Sequence, residues 1–497
     1  MLKQMSSDEY SRNEYDSEHD NLEKKQYIKK KNPNKDIVII TYIFVGLFVL
    51  LLGNFTYFLF VDSTSVINNS YNKRQDLMAD RITRGMILGS DLEILAETKV
   101  DKKGNTTRNY PYDDMFAHVV GRFLKGKTGI ESSQNFNLLT SNDNPITKVV
   151  NELAGEKNIG DNIVTTLDVD LQEVAYDALG NRKGAIVVLE PSTGKILAMV
   201  SKPDYNPNNI DDNWEDLTED SDNNSALINR ATQGLYPPGS TFKIVTALEY
   251  IRENSDYEDY SYNCKGSYTL NGVKIKCYNN KKHGHLDLST AFAKSCNSAF
   301  AEIGTTLNRK SYYNLCDSLL FNSELPLVDL SYNKSSFVLN ESSEEVQVPQ
   351  TAIGQGKTQI SPIHNALLVA AIANGGNLMK PYVVDRIENT NGDIVEKYLP
   401  TTYGSLMTAD EADILSEMMQ EVVENGTATA LNHLGYEVAG KTGSAEFDSG
   451  DSSHAWFVGY ASKDKSDIVV SIIVEGAGTG SDYAVPIAKK IFKKYFK

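Results

Sequence analysis

Basic residues are in deficit. The 497-residue chain carries 49 Lys and Arg against 66 Asp and Glu, a net charge of −17. General nucleic-acid binding requires a basic surface, so that class of function is excluded. No internal repeat is present, which excludes solenoid and propeller architectures. Apolar residues are sparse from Met1 to Lys35, and this segment is expected to be a disordered tail. One stretch, Ile37 to Val61, lacks charge altogether and is long enough to span a bilayer. Its end, Tyr57-Phe58-Leu59-Phe60-Val61, lacks the small-residue cleavage site of a signal peptide. Lys29, Lys30, Lys31 and Lys35 precede it and Asp62 follows, so the positive-inside rule puts the tail in the cytoplasm and the body outside.

What is present is ordinary globular composition, 40% hydrophobic and 23% charged, over a length that suggests two or three domains. The pattern divides into a tail (1–36), a membrane span (37–61), a small mixed domain (62–161) and a main domain (162–497). In the last, Ile163–Leu167 reads as a strand, and Asp168 or Asp170 as the cap of a helix to Leu179. Gly184–Glu190 and Lys195–Val200 form a hairpin about Pro191-Ser192-Thr193-Gly194. Ser289–Leu307, Ile363–Asn374 (Ser361 at N-cap, Pro362 at N1), Thr408–Asn425 and Ala484–Tyr495 read as helices, and Trp456–Ala461 and Ile468–Glu475 as strands. Strands at both ends with helices between them predict an α/β (α+β) fold, an antiparallel sheet packed by helices.

Chemistry concentrates at Tyr236-Pro237-Pro238-Gly239-Ser240-Thr241-Phe242-Lys243. Prolines and glycine end what precedes; Phe242, Ile244, Val245, Leu248 and Ile251 then start an apolar helical pattern. Ser240 and Lys243 fall on one face of its first turn, a hydroxyl beside an amine at the positive end of a helix. S-x-x-K recurs at Ser70, Ser192, Ser331 and Ser462, but only Ser240 has this entry and helix. Ser295-Cys296-Asn297 follows within the Ser289–Leu307 helical stretch, then Lys441-Thr442-Gly443-Ser444 on an expected edge strand. A second S-D-N (Ser221–Asn223) and a second K-T-G (Lys127–Gly129) fail on order and context.

S-x-x-K, S-x-N and K-T-G in that order mark serine acyltransferases that act on penicillins and D-Ala-D-Ala peptides. From Arg84 onward the chain resembles a class B penicillin-binding protein, a monofunctional peptidoglycan D,D-transpeptidase, and its short pedestal resembles the penicillin-binding protein A subgroup. The match is carried by Arg84-Gly85-Met86-Ile87, Leu95-Ala96, Tyr110-Pro111, His118–Gly121, Gly129-Ile130-Glu131, the Gly184–Val200 hairpin and Asn229-Arg230-Ala231 before the Ser240 stretch; Gly89-Ser90 departs from it. The resemblance implies a transpeptidase-type catalytic domain on a pedestal or dimerisation-type domain and a role in cell-wall synthesis, division or shape. Ser240 would be the nucleophile, and Lys243 its base, neutralised by burial and by nearby Lys441. Ser295 would relay a proton to the leaving amine and Asn297 hold the substrate amide. The N–H groups of Ser240 and Ser444 would form the oxyanion hole, and Lys441, Thr442, Gly443 and Ser444 the carboxylate-binding strand.

The implied partners are stem peptides, β-lactams, the cell membrane and a multi-span membrane glycosyltransferase, because about 100 residues between membrane and catalytic domain leave no room for a second enzyme. No cofactor is expected. The rival functions are a D,D-carboxypeptidase or β-lactamase, and a non-catalytic β-lactam sensor or scaffold. Hydrolysis needs an extra glutamate to hold water, and none with that context lies between Asn297 and Lys441, while intact Ser240, Lys243, Ser295, Asn297 and Lys441 argue against a dead scaffold.

Among Cys264, Cys277, Cys296 and Cys316, an Asn271-Gly272 turn would leave Cys264 and Cys277 diagonal on one face, poor for a disulfide. Some class B relatives hold zinc at a corresponding corner, which would here be Cys264, Cys277, His283 and Cys296. The spacings match no common zinc finger, so free buried thiols are the favoured reading.

Overall fold

The computed structural model describes residues 35–58, 81–219, 225–446, 453–464 and 466–497. The expected tail, and the decoy at Ser221–Asn223, lie outside them. The chain forms two units, 1–69 and 70–497. In the first, α1 (Lys35–Tyr57) includes a span, Ile37–Tyr57, that is long and apolar enough to cross a membrane, with a mean hydropathy of 2.5.

Early in the second unit lie β1 (Ile87–Leu88), β2 (Ile94–Val100) and β3 (Thr106–Asn109). β1 pairs in parallel with β4 (Asn162–Thr165), Ile87 opposite Ile163. Strands Val384–Glu388 and Ile394–Lys397, from far along the chain, complete this six-stranded sheet beyond β4. Its core contains an ionic triad: the guanidiniums of Arg84 and Arg108 each lie 2.6 Å from the Glu131 carboxylate, whose side chain is fully buried. Both the Arg84 and the Glu131 signatures are therefore core residues.

Asp168 caps α2 (Val169–Leu179), its carboxylate accepting from Leu171 N–H at 2.8 Å. The hairpin β5 (Gly184–Leu189) and β6 (Ile196–Lys202) forms one side of the main sheet. A 3-10 turn, Gly239–Phe242, leads into α3 (Lys243–Glu253), which buries Ile244, Val245, Ala247, Leu248 and Ile251 as the periodicity requires. Four short strands follow: β7 (Tyr262–Cys264), β8 (Ser267–Leu270), β9 (Val273–Lys276) and β10 (Gly284–Leu286). β8 and β9 make the hairpin expected from Asn271-Gly272, both at positive φ, while β7 leaves it to pair with β10.

The expected single helix over Ser289–Leu307 is two: α4 (Leu288–Ala293) and α5 (Asn297–Thr306). The break falls at 294–296, where Ser295 takes a φ of +53° that no α-helix contains. The central α6 (Pro362–Ala373) is buried along nearly its whole length, and α7 (Ala409–Glu424) starts at a capping box formed by Thr408 and Glu411. β11 (Glu437–Glu446), β12 (Ser453–Lys463) and β13 (Ser466–Val474) finish the main sheet, and α8 (Gly480–Tyr495) packs with α2 on it. The order is β11-β12-β13-β5-β6, antiparallel throughout, as expected. β5 and most of β12 are buried at consecutive positions, so helices cover both faces.

Candidate active site

The site forms where the 3-10 turn, the α4–α5 break and the edge strand β11 converge. Gly239, at φ +53°, donates its N–H to Gly354 O at 2.9 Å. A Cβ on Gly239 would stand 2.8 Å from Ser444 O, and one on Gly354 only 2.0 Å from Gly239 O. Glycine at both places lets the Ser240 turn press against β11. Trp456 Nε1 donates to Pro237 O at 3.1 Å, and the Tyr236 hydroxyl to Glu475 at 2.7 Å, which also pairs with Arg230. The turn is thereby fastened to the main sheet.

Lys243 is the hub. Its Nζ, fully buried, lies 3.1 Å from Ser240 Oγ, 3.2 Å from Ser295 Oγ, 2.8 Å from Ser295 O and 2.7 Å from Asn297 Oδ1. One amine therefore touches both hydroxyls and the amide of two motifs. The broken helix makes this possible, because an unbroken turn would bond Ser295 O within the helix and deny it to Lys243. Asn297 Nδ2 donates to Lys276 O at 3.0 Å, fixing which amide atom faces the lysine.

Burial brings the Lys243 ammonium down to about 8. Lys441 and Lys243 each disfavour the other's charge, since the repulsion of two buried cations is reciprocal, while negative charge on the nearby Cys296 or Cys277 works to raise Lys243. Lys441, also fully buried, is pushed well below the ordinary lysine value by desolvation first and then by Lys243. Lys441 Nζ donates to Thr442 O at 3.2 Å and sits 5.4 Å from the Phe292 ring centroid. Gly443 packs on the nucleophile turn, where a Cβ would meet Thr241 Cγ2 at 3.1 Å.

Sequence reasoning missed Thr427, whose hydroxyl meets that of Thr442 at 2.5 Å, and the rings of Phe292 and Phe300 that face the two lysines. Only contact across the fold reveals them. Of the decoys, Ser192 lies in the β5–β6 turn and Lys127–Gly129 leads into the short helix Gly129–Ser133, and neither is among the hydrogen-bond partners of Lys243.

Beside the site, Cys277 Sγ stands 3.7 Å from both Cys264 Sγ and Cys296 Sγ, and Cys264 Sγ 3.4 Å from His283 Nδ1; all four ligand atoms fall within 4.8 Å of one another. The distances are far above the ~2.05 Å of a disulfide. They fit zinc: thiolates at ~2.3 Å in tetrahedral directions stand ~3.8 Å apart. Cys296 lies between Ser295 and Asn297, so the cluster braces the segment that presents both.

The sheet, the helices and this constellation define a serine acyltransferase of the penicillin-binding type. The chain belongs to the penicillin-binding protein transpeptidase family. The family profile "Penicillin binding protein transpeptidase domain" matches residues 184–495, and "Penicillin binding protein A dimerisation domain" matches 84–163. The chain is 28% identical over 474 residues to the peptidoglycan D,D-transpeptidase PbpA of Mycolicibacterium smegmatis, covering 89% of this chain and 95% of that one. Its fold matches penicillin-binding protein A of M. tuberculosis, solved as an imipenem acyl-enzyme, at TM-score 0.77 and 26% identity, over 84% and 99% of the two chains. It matches the D,D-transpeptidase domain of a peptidoglycan glycosyltransferase from Eggerthella lenta at 0.75 and 30%, over 84% and 98%.

Proposed function

We propose that this chain is a membrane-anchored peptidoglycan D,D-transpeptidase that cross-links stem peptides through an ester on Ser240. The carrying observation is the meeting of Ser240, Ser295 and Asn297 at one buried amine, Lys243. Neutral Lys243 takes the Ser240 proton as Oγ attacks the penultimate D-Ala carbonyl. The N–H groups of Ser240 and Ser444 hold the oxyanion. Thr442 and Ser444 bind the terminal carboxylate in the field of Lys441, and Ser295 passes the proton to the departing D-Ala amine. An amine of a neighbouring strand then takes the acyl group.

α1 anchors the enzyme with its body outside the membrane, and a multi-span membrane glycosyltransferase supplies the glycan strands. Cys264, Cys277, His283 and Cys296 hold a structural zinc, which when bound ties β7 and β10 to the Ser295 segment. Elemental analysis of the full chain should find about one zinc per chain; none, with four titratable thiols, removes it.

The test of the reading uses penicillin. The adduct should map to Ser240, be absent from Ser240→Ala, and persist for many minutes after free drug is removed, because the tethered leaving group blocks the acceptor. Rapid loss of the adduct, with hydrolysed penicillin accumulating, would establish a β-lactamase instead. Labelling of Ser240→Ala would overturn the site.

A further inference from the structure

The stretch Cys264–Lys294 inverts the charge of the chain. It carries Lys265, Lys274, Lys276, Lys281, Lys282 and Lys294 with a single acid, Asp287, in a chain of net charge −17. Asp287 is already engaged, its carboxylate accepting from Thr290 N–H at 2.7 Å as the cap of α4. Lys281, Lys282 and Lys294 converge on a cleft of about 300 Å³, completed by His283, Asn425, Gly426 and Thr427. Lys99, Lys125, Lys334 and Lys494 make ion pairs, whereas these three make none among the described residues. The nearby carboxylate of Glu421 is occupied by Asn425 Nδ2, 3.0 Å from both oxygens.

The position of the cleft says which substrate it faces. Thr427 on its wall bonds Thr442, the residue assigned to the terminal carboxylate, and Lys294 directly precedes Ser295, assigned to the leaving amine. The cleft therefore adjoins the residues assigned to the leaving group. By microscopic reversibility the incoming amine must approach the ester along the path by which D-Ala leaves.

We propose that this cleft is the acceptor subsite, where the three lysines hold free carboxylates of the amine-donating stem peptide. The proposal rests on the transpeptidase reading above. In the step it serves, the acceptor nitrogen bonds to the acyl carbon, the Ser240 ester C–O bond breaks, and the proton lost by the nitrogen returns to Ser240 Oγ. The lysines position the acceptor and take no proton in that exchange. Stem peptides carry carboxylates that are either free or amidated, so the subsite discriminates between these two forms.

The experiment uses the full chain in detergent and a donor peptide ending in D-Ala-D-Ala. The acceptors are γ-D-glutamyl tripeptides ending in L-lysine or meso-diaminopimelate, each with free carboxylates and as the carboxamides. The free-carboxylate form should reach half-maximal transfer at about tenfold lower concentration. That advantage should shrink as salt rises from roughly 0.05 to 0.5 M. It should vanish in the Lys281→Gln/Lys282→Gln/Lys294→Gln variant and survive in the corresponding Arg variant. Normal transfer by the unaltered enzyme with equal use of free and amidated acceptors overturns the subsite and leaves the transpeptidase standing, whether or not the variants fold. Failure of the donor to acylate Ser240 overturns the parent reading and this inference with it.

Discussion

Two regions of this molecule bury cations, and desolvation works to lower the cation in both, but only one of them supplies a carboxylate. Within the segment 84–163, Arg84 and Arg108 close on Glu131 at 2.6 Å each. Desolvation works to raise the Glu131 carboxyl, yet Arg108 and Arg84 hold it below its usual range. In the catalytic domain, Lys243 and Lys441 are as deeply buried, but their contacts are hydroxyls, carbonyls, an amide and aromatic rings, with no carboxylate among them. Desolvation therefore prevails and both lysines move toward the neutral amine. Burial with a counter-ion makes a structural element, and burial without one makes a base.

The signs of linkage follow. A depressed carboxyl contributes stability that is present above the ordinary glutamate range and fades as pH falls through its folded value. A depressed lysine does the reverse: it costs stability while both states are charged, and the cost is relieved as pH rises between about 8 and 10.5.

The sharpest way to break the contrast is Lys243→Met. Acylation by penicillin should fall by about 10²–10⁴. Stability at pH 7 should nevertheless rise, on the order of 1 kcal/mol, with the gain shrinking above pH 8. A stopped-flow acylation assay and thermal melts at several pH values read both, and a marked destabilisation at pH 7 would remove the proposed cost of burial. Next comes Glu131→Gln, which leaves two buried guanidiniums without their carboxylate. Denaturant unfolding should show a loss of about 3–5 kcal/mol, while the protein still folded acylates within about twofold of the original rate. If acylation fell with stability intact, the triad would belong to the catalytic machinery. The smallest effect is expected of Thr427→Val, which removes one hydroxyl bonded to Thr442. Acylation should slow by less than about tenfold, the worth of one hydrogen bond, and a complete loss would make Thr427 catalytic.

Much of this arrangement was legible in the residues, and the exceptions share a cause. The edge strand carrying Lys441, the main hairpin, the Ser361 cap and the Asn271-Gly272 turn are written in local periodicity and turn chemistry, and the structure has each of them. The residues selected for chemistry come together because Lys243 can reach the Ser295 segment. The break at 294–296 was not legible: apolar Leu288, Ala291, Phe292, Ala299, Phe300 and Ile303 keep a helical rhythm across it. The open turn goes with a long-range contact, Lys243 Nζ on Ser295 O, which no local pattern encodes. The cysteines illustrate the same limit. The β8–β9 hairpin has the register expected, but β7 departs from it to pair with β10, and that crossover sets Cys264 3.7 Å from Cys277. The source of the Lys243 shift was half legible, since burial could be inferred from the motif but the opposing buried thiols could not.

The central claim, that an unneutralised buried amine activates Ser240, is tested most directly by the second-order rate of penicillin acylation measured from pH 6 to pH 10. Neutral Lys243 is the active form, so the rate should climb about tenfold per pH unit and level off near pH 8, where the amine loses its proton. A rate that is flat across this range, or that falls as pH rises through 8, would contradict it.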